Sequence, residues 1–544
     1  MPTVAAESGT RGRGYPQTLQ RPVISSNKLR QQVWHNKSTP LFFASTRHCR
    51  QEIHIGGNNK SLNDCTNCRI AYPFLRHLPR VISSTQLDCL KIPNSEIASS
   101  HFVSFELTLH CRRNNSMTTS TDHSISRRAK QAAGQPISQL MGMALSNPNI
   151  ISLAAGFVDN DSLPVTTTNL ATQKVLAAGE TSKAALQYGS NNGDEQLRTL
   201  VLEQAIAMNH AASDQAANYQ TTLEQVFITP GSNQLLYLIA DTLLDPGDII
   251  LCASPSYFVF IGAVKNIGGR TIGVATDNNG IIPRSLEEAL EQIERDGNLS
   301  KVKAIYTVPY FDNPGGTTLT AERGQQILDI ARRWSRDHKI YVISDEAYRM
   351  LRYEGPDVPS MHHWDPSLEH TIVAGTFSKS YSPGIRVGWG FLPTDLIGPL
   401  GDQKSNIDFG APLLAQRIMA TILEENLWLP HVEKLRGVYR QRCHAMLGAL
   451  ETHLGDVSGC HWHKTNGGLC VWLTLPEHID TGMQGTFIKA AVEAGVLYVP
   501  GEFCYASGGE PANHSTIRLT FGVQSAERIT QGIGLLSEQI KHWQ

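Results

Sequence analysis

From about residue 225 onward, short β-rich runs alternate with longer helical ones, and this pattern constrains the fold more than any other feature. Residues 225–229 (QVFIT) read as a strand and end in the turn TPGS. Residues 232–244 then read as a helix, with Leu235, Leu236, Leu238, Ile239 and Leu243 apolar, stopped by Asp245-Pro246-Gly247-Asp248. Further strands are expected at 248–253 (DIILCA), 302–308, 340–344 and 371–374. Residues 320–334 (TAERGQQILDIARRW) read as an amphipathic helix capped by Thr320, with Ile327, Leu328 and Ile330 toward the core. Apolar strands between helices predict an α/β fold: a large domain whose mainly parallel sheet is covered on both faces. The last 130 or so residues mix helices and strands differently, which predicts a second, smaller α+β domain.

Charge divides the chain at another place. Residues 1–116 carry 15 Lys and Arg against 6 Asp and Glu, whereas the remainder carries 32 against 43. The formal net charge of −2 therefore hides a basic segment and an acidic body. The first segment has no sustained apolar periodicity and is expected to be disordered, or to lie upstream of a natural start at Met117. A transit peptide is a further reading, although the segment is long for one and lacks a clean amphipathic helix at its start. Its CxxC pair, Cys65 and Cys68, is followed by no second matched pair, so no metal site is expected. The near-neutral balance argues against a nucleic-acid coat, and no run of 18 apolar residues predicts a membrane span. Ten cysteines in 544 residues suit a reducing, cytoplasmic setting.

In an open α/β sheet, ligands sit beyond the carboxyl ends of the strands. The first such loop is Thr229-Pro230-Gly231-Ser232-Asn233-Gln234, which opens a helix and offers free amides to an anion. Taken alone it equally suits ordinary capping. Asp345 closes the strand at 340–344, with Tyr348 shortly after; as a lone feature this aspartate reads as a cap. The loop after residue 308 holds Asn313-Pro314-Gly315-Gly316, otherwise a plain turn. After residue 374 come Thr376, Ser378, Lys379 and Arg386 among hydroxyls and glycines. Four such loops in one sheet supply an amine, a carboxylate, an anion cradle and a phenol. An aldehyde cofactor with a pyridine ring and a phosphate needs those groups.

The ordered set TPGSNQ, SPSYF, DNPGG, SDEAY, TFSKSYSPGIRVGW and TIRLTFG resembles the fold-type-I aminotransferases of class I/II, which use pyridoxal 5'-phosphate, in particular the 2-aminoadipate, aromatic and broad-specificity subgroup. The resemblance spans about 420 residues, from Ser124 to the C-terminus. It implies an arm with part of the small domain at 117–165, a large cofactor-binding domain at 166–410 and a small C-terminal domain at 411–544. It implies that Lys379 holds the cofactor and moves the substrate's α-proton, which needs a depressed pKa. Asp345 would pair with the ring nitrogen, Asn313 and Tyr348 would bond the ring's phenolic oxygen, and Tyr257 would stack on the ring. Gly231, Ser232, Asn233 and Gln234, with Thr376, Ser378 and Arg386, would form the phosphate cup. Tyr188 would reach the phosphate of a neighbouring subunit, so a homodimer with shared sites is implied. Arg518 would clamp the substrate α-carboxylate, with Gly156 and Asn313 beside it. The usual Asn-Pro-Thr-Gly run is Asn313-Pro314-Gly315-Gly316 here, a tolerable loss of one hydroxyl. The arginine that reads a distal carboxylate in aminoadipate-specific relatives has its nearest counterpart near Ser138-Gln139, so a strict dicarboxylate preference is not expected.

The activity so implied is ping-pong transfer of an amino group from an L-amino acid to a 2-oxo acid, with 2-oxoglutarate the expected acceptor. Two alternatives stand beside it. A lyase, β-eliminase or racemase would use the same cofactor residues. A transcription regulator with an aminotransferase-like sensor domain would need a helix-turn-helix, and residues 1–116 show no such helix pair.

Overall fold

A computed structural model describes residues 124–132, 140, 142–143, 147, 149–177 and 179–543. The expected extension at 1–116, with its CxxC pair, lies outside the described residues. The strands are β1 (Ile151–Ser152), β2 (Val226–Thr229), β3 (Ile249–Ser254), β4 (Arg270–Asp277), β5 (Gly280–Ile281), β6 (Val302–Thr307), β7 (Tyr341–Asp345), β8 (Thr371–Thr376) and β9 (Gly388–Phe391). They continue with β10 (His461–Trp462), β11 (Cys470–Thr474), β12 (Val496–Leu497), β13 (Val499–Pro500), β14 (Gly508–Gly509) and β15 (Thr516–Thr520).

The large sheet runs in the order β14-β4-β3-β6-β7-β8-β9-β2, with β5 paired to β4. Its central pairs, from β4 through β8, are parallel, and β9 is antiparallel to both neighbours. Every residue of β3, β7 and β8 is buried, as expected for strands covered on both faces. The expected helices form at Ser232–Leu243 and Ala321–Trp334. The Thr320 hydroxyl accepts a bond from the Arg323 amide and so caps the second, while Ile327, Leu328, Ile330 and Trp334 bury its inner face.

The C-terminal part builds a four-stranded antiparallel sheet, β10-β11-β15-β13. The long helix Trp428–Leu454 packs there against the last helix, Ala526–His542. Parallel pairing of β1 with β12 ties the segment near residue 151 to this part, and buried Asp159 meets Arg442 at 2.6 Å. The helix Leu413–Glu424 follows the boundary expected at 410, yet it packs with the large sheet. Its Ile418, Met419 and Ile422 share a core with Ala171, Val201, Val226 and Phe391. Its apolar face is long enough to be buried there before the chain passes into Trp428–Leu454.

Two glycines bring the site together. At Gly388 of β9, a Cβ would stand 2.5 Å from the Ser232 amide, so only glycine lets the helix start at Ser232 approach this strand. Gly231 has φ +82°, and a Cβ there would stand 2.7 Å from Nη2 of Arg386.

Candidate active site

The loops after β2, β6, β7 and β8 converge on a cavity of ≈ 250 Å³. One end is anionophilic. Gly231, Ser232 and Asn233 line it from the first turn of Ser232–Leu243, where free amides and the helix dipole favour negative charge. Thr376 at the end of β8, with Ser378 and Arg386 beyond it, lines it as well. Arg386 is left-handed (φ 50°), and its Nη2 donates to the Pro230 carbonyl at 2.8 Å. The guanidinium is thereby fixed across the glycine turn. The Ser378 amide donates to the Thr376 hydroxyl at 3.1 Å, which folds that loop back over its own strand.

Asp345, the last residue of β7, lines the cavity and is 4% exposed. Burial pushes its carboxyl up to about 6, opposed by hydrogen bonds from Tyr306 and from the Ala347 amide. The Tyr306 hydroxyl donates to Oδ2 at 3.0 Å. Tyr348 follows in a turn rather than a helix and also lines the cavity, as do Tyr257 and Asn313. Burial, then the nearby Asp345, pushes the Tyr257 phenol up to about 12. Burial raises Tyr348 in the same direction.

Lys379 stands in the turn after β8, and its Nζ donates to the Gly156 carbonyl at 2.7 Å. Burial lowers its amine to about 8, with Arg518 and Arg386 adding repulsion and Cys470 opposing. A carbonyl partner accepts a hydrogen bond without pairing the charge, so the neutral amine becomes accessible near neutral pH. Arg518 of β15 is 2% exposed. Its Nη1 donates to Asn313 Oδ1 at 2.9 Å and its Nη2 to the Ala154 carbonyl at 2.8 Å. Both partners are neutral, so the guanidinium keeps its charge for an incoming anion.

The residues thus fit pyridoxal phosphate in kind. A guanidinium, hydroxyls and a helix start suit its phosphate, a buried carboxylate suits a ring nitrogen, and a lysine with a depressed pKa suits its aldehyde. Two expected residues lie elsewhere. Gln234 does not line the cavity: its Nε2 donates to Asp408 at 2.8 Å, because the third helical position turns away from the face that Ser232 and Asn233 present. Tyr188 is 80% exposed and neighbours Phe409, with ring centroids 6.0 Å apart, and does not line the cavity of its own chain. Sequence reasoning missed Tyr306. It sits inside an apolar strand run, and only the β6–β7 register, with Tyr306 opposite Ile343, reveals its reach toward Asp345.

Comparison with known proteins agrees with this geometry. Residues 148–533 match the family "Aminotransferase class I and II". The chain is 33% identical over 417 residues to aromatic-amino-acid aminotransferase 1 of Thermococcus litoralis, covering 76% of this chain and 94% of the relative. A multiple substrate aminotransferase from Thermococcus profundus superposes with a TM-score of 0.70 at 31% identity, over 78% of this chain and 98% of that one. A kynurenine aminotransferase from Pyrococcus horikoshii, solved in complex with PMP, gives 0.70 at 29% identity, over 79% and 99%. The chain belongs to the class I and II aminotransferases, enzymes that use pyridoxal phosphate to move an amino group from an amino acid to a 2-oxo acid.

Proposed function

We propose that the cavity at Lys379 carries out amino transfer from an L-amino acid to 2-oxoglutarate by a ping-pong route. The observation that carries this is the amine of Lys379, lowered to about 8 in the cavity that also holds buried Asp345 and the anion cradle. When bound, the cofactor supplies a reactive carbonyl carbon and a conjugated ring that accepts electrons. Lys379 would hold that carbon through Nζ, and as a free amine it takes the substrate's α-proton and returns it. Asp345, ionised, would keep a proton on the ring nitrogen. Asn313 and Tyr348 would serve the ring oxygen, and Tyr257 would serve the ring. Gly231, Ser232, Asn233, Thr376, Ser378 and Arg386 would hold the phosphate; Gln234, occupied by Asp408, is left out of this set. Arg518 binds the α-carboxylate by its planar fork, with Gly156 and Asn313 at its side.

A homodimer follows from the same reading. Leu186, Tyr188, Ile407 and Phe409 are all exposed apolar or aromatic residues, an arrangement suited to a second copy of this chain. Tyr188 would then reach the phosphate site of the partner. The three-part division at 117–165, 166–410 and 411–544 is kept except that Leu413–Glu424 joins the large domain, on whose sheet it packs. No described helix is long and apolar enough to cross a membrane. The five described cysteines are free and buried, which supports a cytoplasmic setting. A panel of amino donors against 2-oxoglutarate and pyruvate tests the reaction. Product that forms only when an acceptor is present supports transfer; ammonia or pyruvate released without acceptor supports the eliminase alternative.

A further inference from the structure

A second cavity lies across a wall from the catalytic one. It measures ≈ 420 Å³, and Val308 lines both. The loop after β6 separates them: Asn313 lines the catalytic cavity, whereas its neighbour Asp312 lines the second. The small domain supplies the opposite side. Alternation along β11 sets Trp472 and Thr474 on one face, and both line the cavity with His461, Trp462 and His463.

The charge within it is unbalanced. Asp312 accepts from the Thr317 amide at 3.1 Å and the Thr317 hydroxyl at 3.3 Å, and from the amides of Gly315 and Gly316. All are neutral donors, and among the described residues no cation forms an ion pair with it. Asp277, the other carboxylate here, is satisfied by Arg323, with two contacts of 3.1 Å. Burial accordingly pushes the Asp312 carboxyl up to about 7. A desolvated carboxylate without a counter-charge is costly, and a cation beside it removes that cost. The indole of Trp472 adds attraction for a cation that carries an apolar body.

We propose that this cavity binds an organic cation with an aromatic or apolar body, its charge against Asp312 and its body against Trp472. The site is independent of the transamination reading, because its anchor is a carboxylate and the anchor of the catalytic cavity is Arg518. Four titratable groups line it: Asp312, Asp277, His461 and His463. Affinity for a permanent cation rises with pH through about 7 as Asp312 ionises. Asp312→Asn removes this dependence.

The probe is benzyltrimethylammonium, a permanent cation with no carboxylate for Arg518 and no N–H to condense with the cofactor. Equilibrium dialysis against the full-length holoenzyme at pH 8 should give saturable binding of one probe per chain. Benzyl alcohol should bind at least about 10-fold more weakly, and Asp312→Asn and Trp472→Leu should each weaken the probe about 10-fold or more. Lys379→Ala should leave probe binding unchanged. Absence of saturable binding up to about 10 mM overturns the proposal. So does competition with the amino acid substrate, loss in Lys379→Ala, or wild-type affinity in Asp312→Asn. Should Asp312→Asn fail to fold, Trp472→Leu decides by the same criterion.

Discussion

The hydroxyl of Tyr306 donates a 3.0 Å hydrogen bond to Oδ2 of Asp345, and both residues are buried. The bond favours the ionised carboxylate, whereas burial raises its pKa to about 6. Tyr306→Phe removes the donor and lets the carboxyl rise further. The acid limb of cofactor uptake by the cofactor-free protein is expected to move to higher pH by up to about one unit, equivalent to about 1.4 kcal/mol. Profiles from pH 5 to 9 for both proteins check this, and superimposable acid limbs would refute it.

The same carboxyl makes the stability of the cofactor-free protein depend on pH. Its folded value of about 6 lies above the ordinary 3.8. The contribution is therefore fully present below pH 3.8 and is lost as pH rises through 6, on the order of 3 kcal/mol in all. Asp345→Asn lacks this dependence. Denaturant titrations between pH 4.5 and 7.5 should show cofactor-free wild type losing stability relative to the variant. Parallel curves would remove Asp345 as the cause.

Arg518 presents a planar fork held by Asn313 and Ala154. Lysine preserves the charge but not the bidentate geometry. Arg518→Lys should raise KM for the amino donor by about 10- to 100-fold, the range for charge-assisted hydrogen bonds. Steady-state kinetics with one saturating acceptor measure it. An unchanged KM would assign the α-carboxylate to another group.

Tyr188 serves the partner's site in this account, whereas Lys379 serves its own. Tyr188→Ala and Lys379→Ala homodimers should each be impaired. Mixing the two after partial unfolding should restore activity, because each heterodimer regains one site with both native residues. Mixtures no more active than the sum of the parents would contradict shared sites.

Much of the cavity lining was legible in the sequence because most of it ends or follows a strand. Asp345 ends β7 and Lys379 stands three residues beyond β8, and both strands are buried apolar runs. That Gly231, Ser232 and Asn233 line this cavity was legible because Gly231 and Ser232 mark a helix start. Gln234 was not, because two helical steps from Ser232 turn it to another face and its partner Asp408 lies 174 residues later. Tyr306 was hidden by its apolar strand, where a tyrosine reads as core. The placement of Leu413–Glu424 depends on its apolar face meeting Ala171 and Val201, a long-range match that local pattern does not encode.

The central claim is that Lys379 carries the α-proton. Single-turnover conversion of an amino donor by Lys379→Ala holoenzyme, followed by cofactor absorbance across pH 6 to 10, tests it most directly. The account predicts a rate about 100- to 10,000-fold below wild type. The variant should also lose the wild-type limb associated with an amine near 8, while still retaining cofactor through Arg386 and the helix start. A rate within about 10-fold of wild type that keeps this limb would show that another group moves the proton.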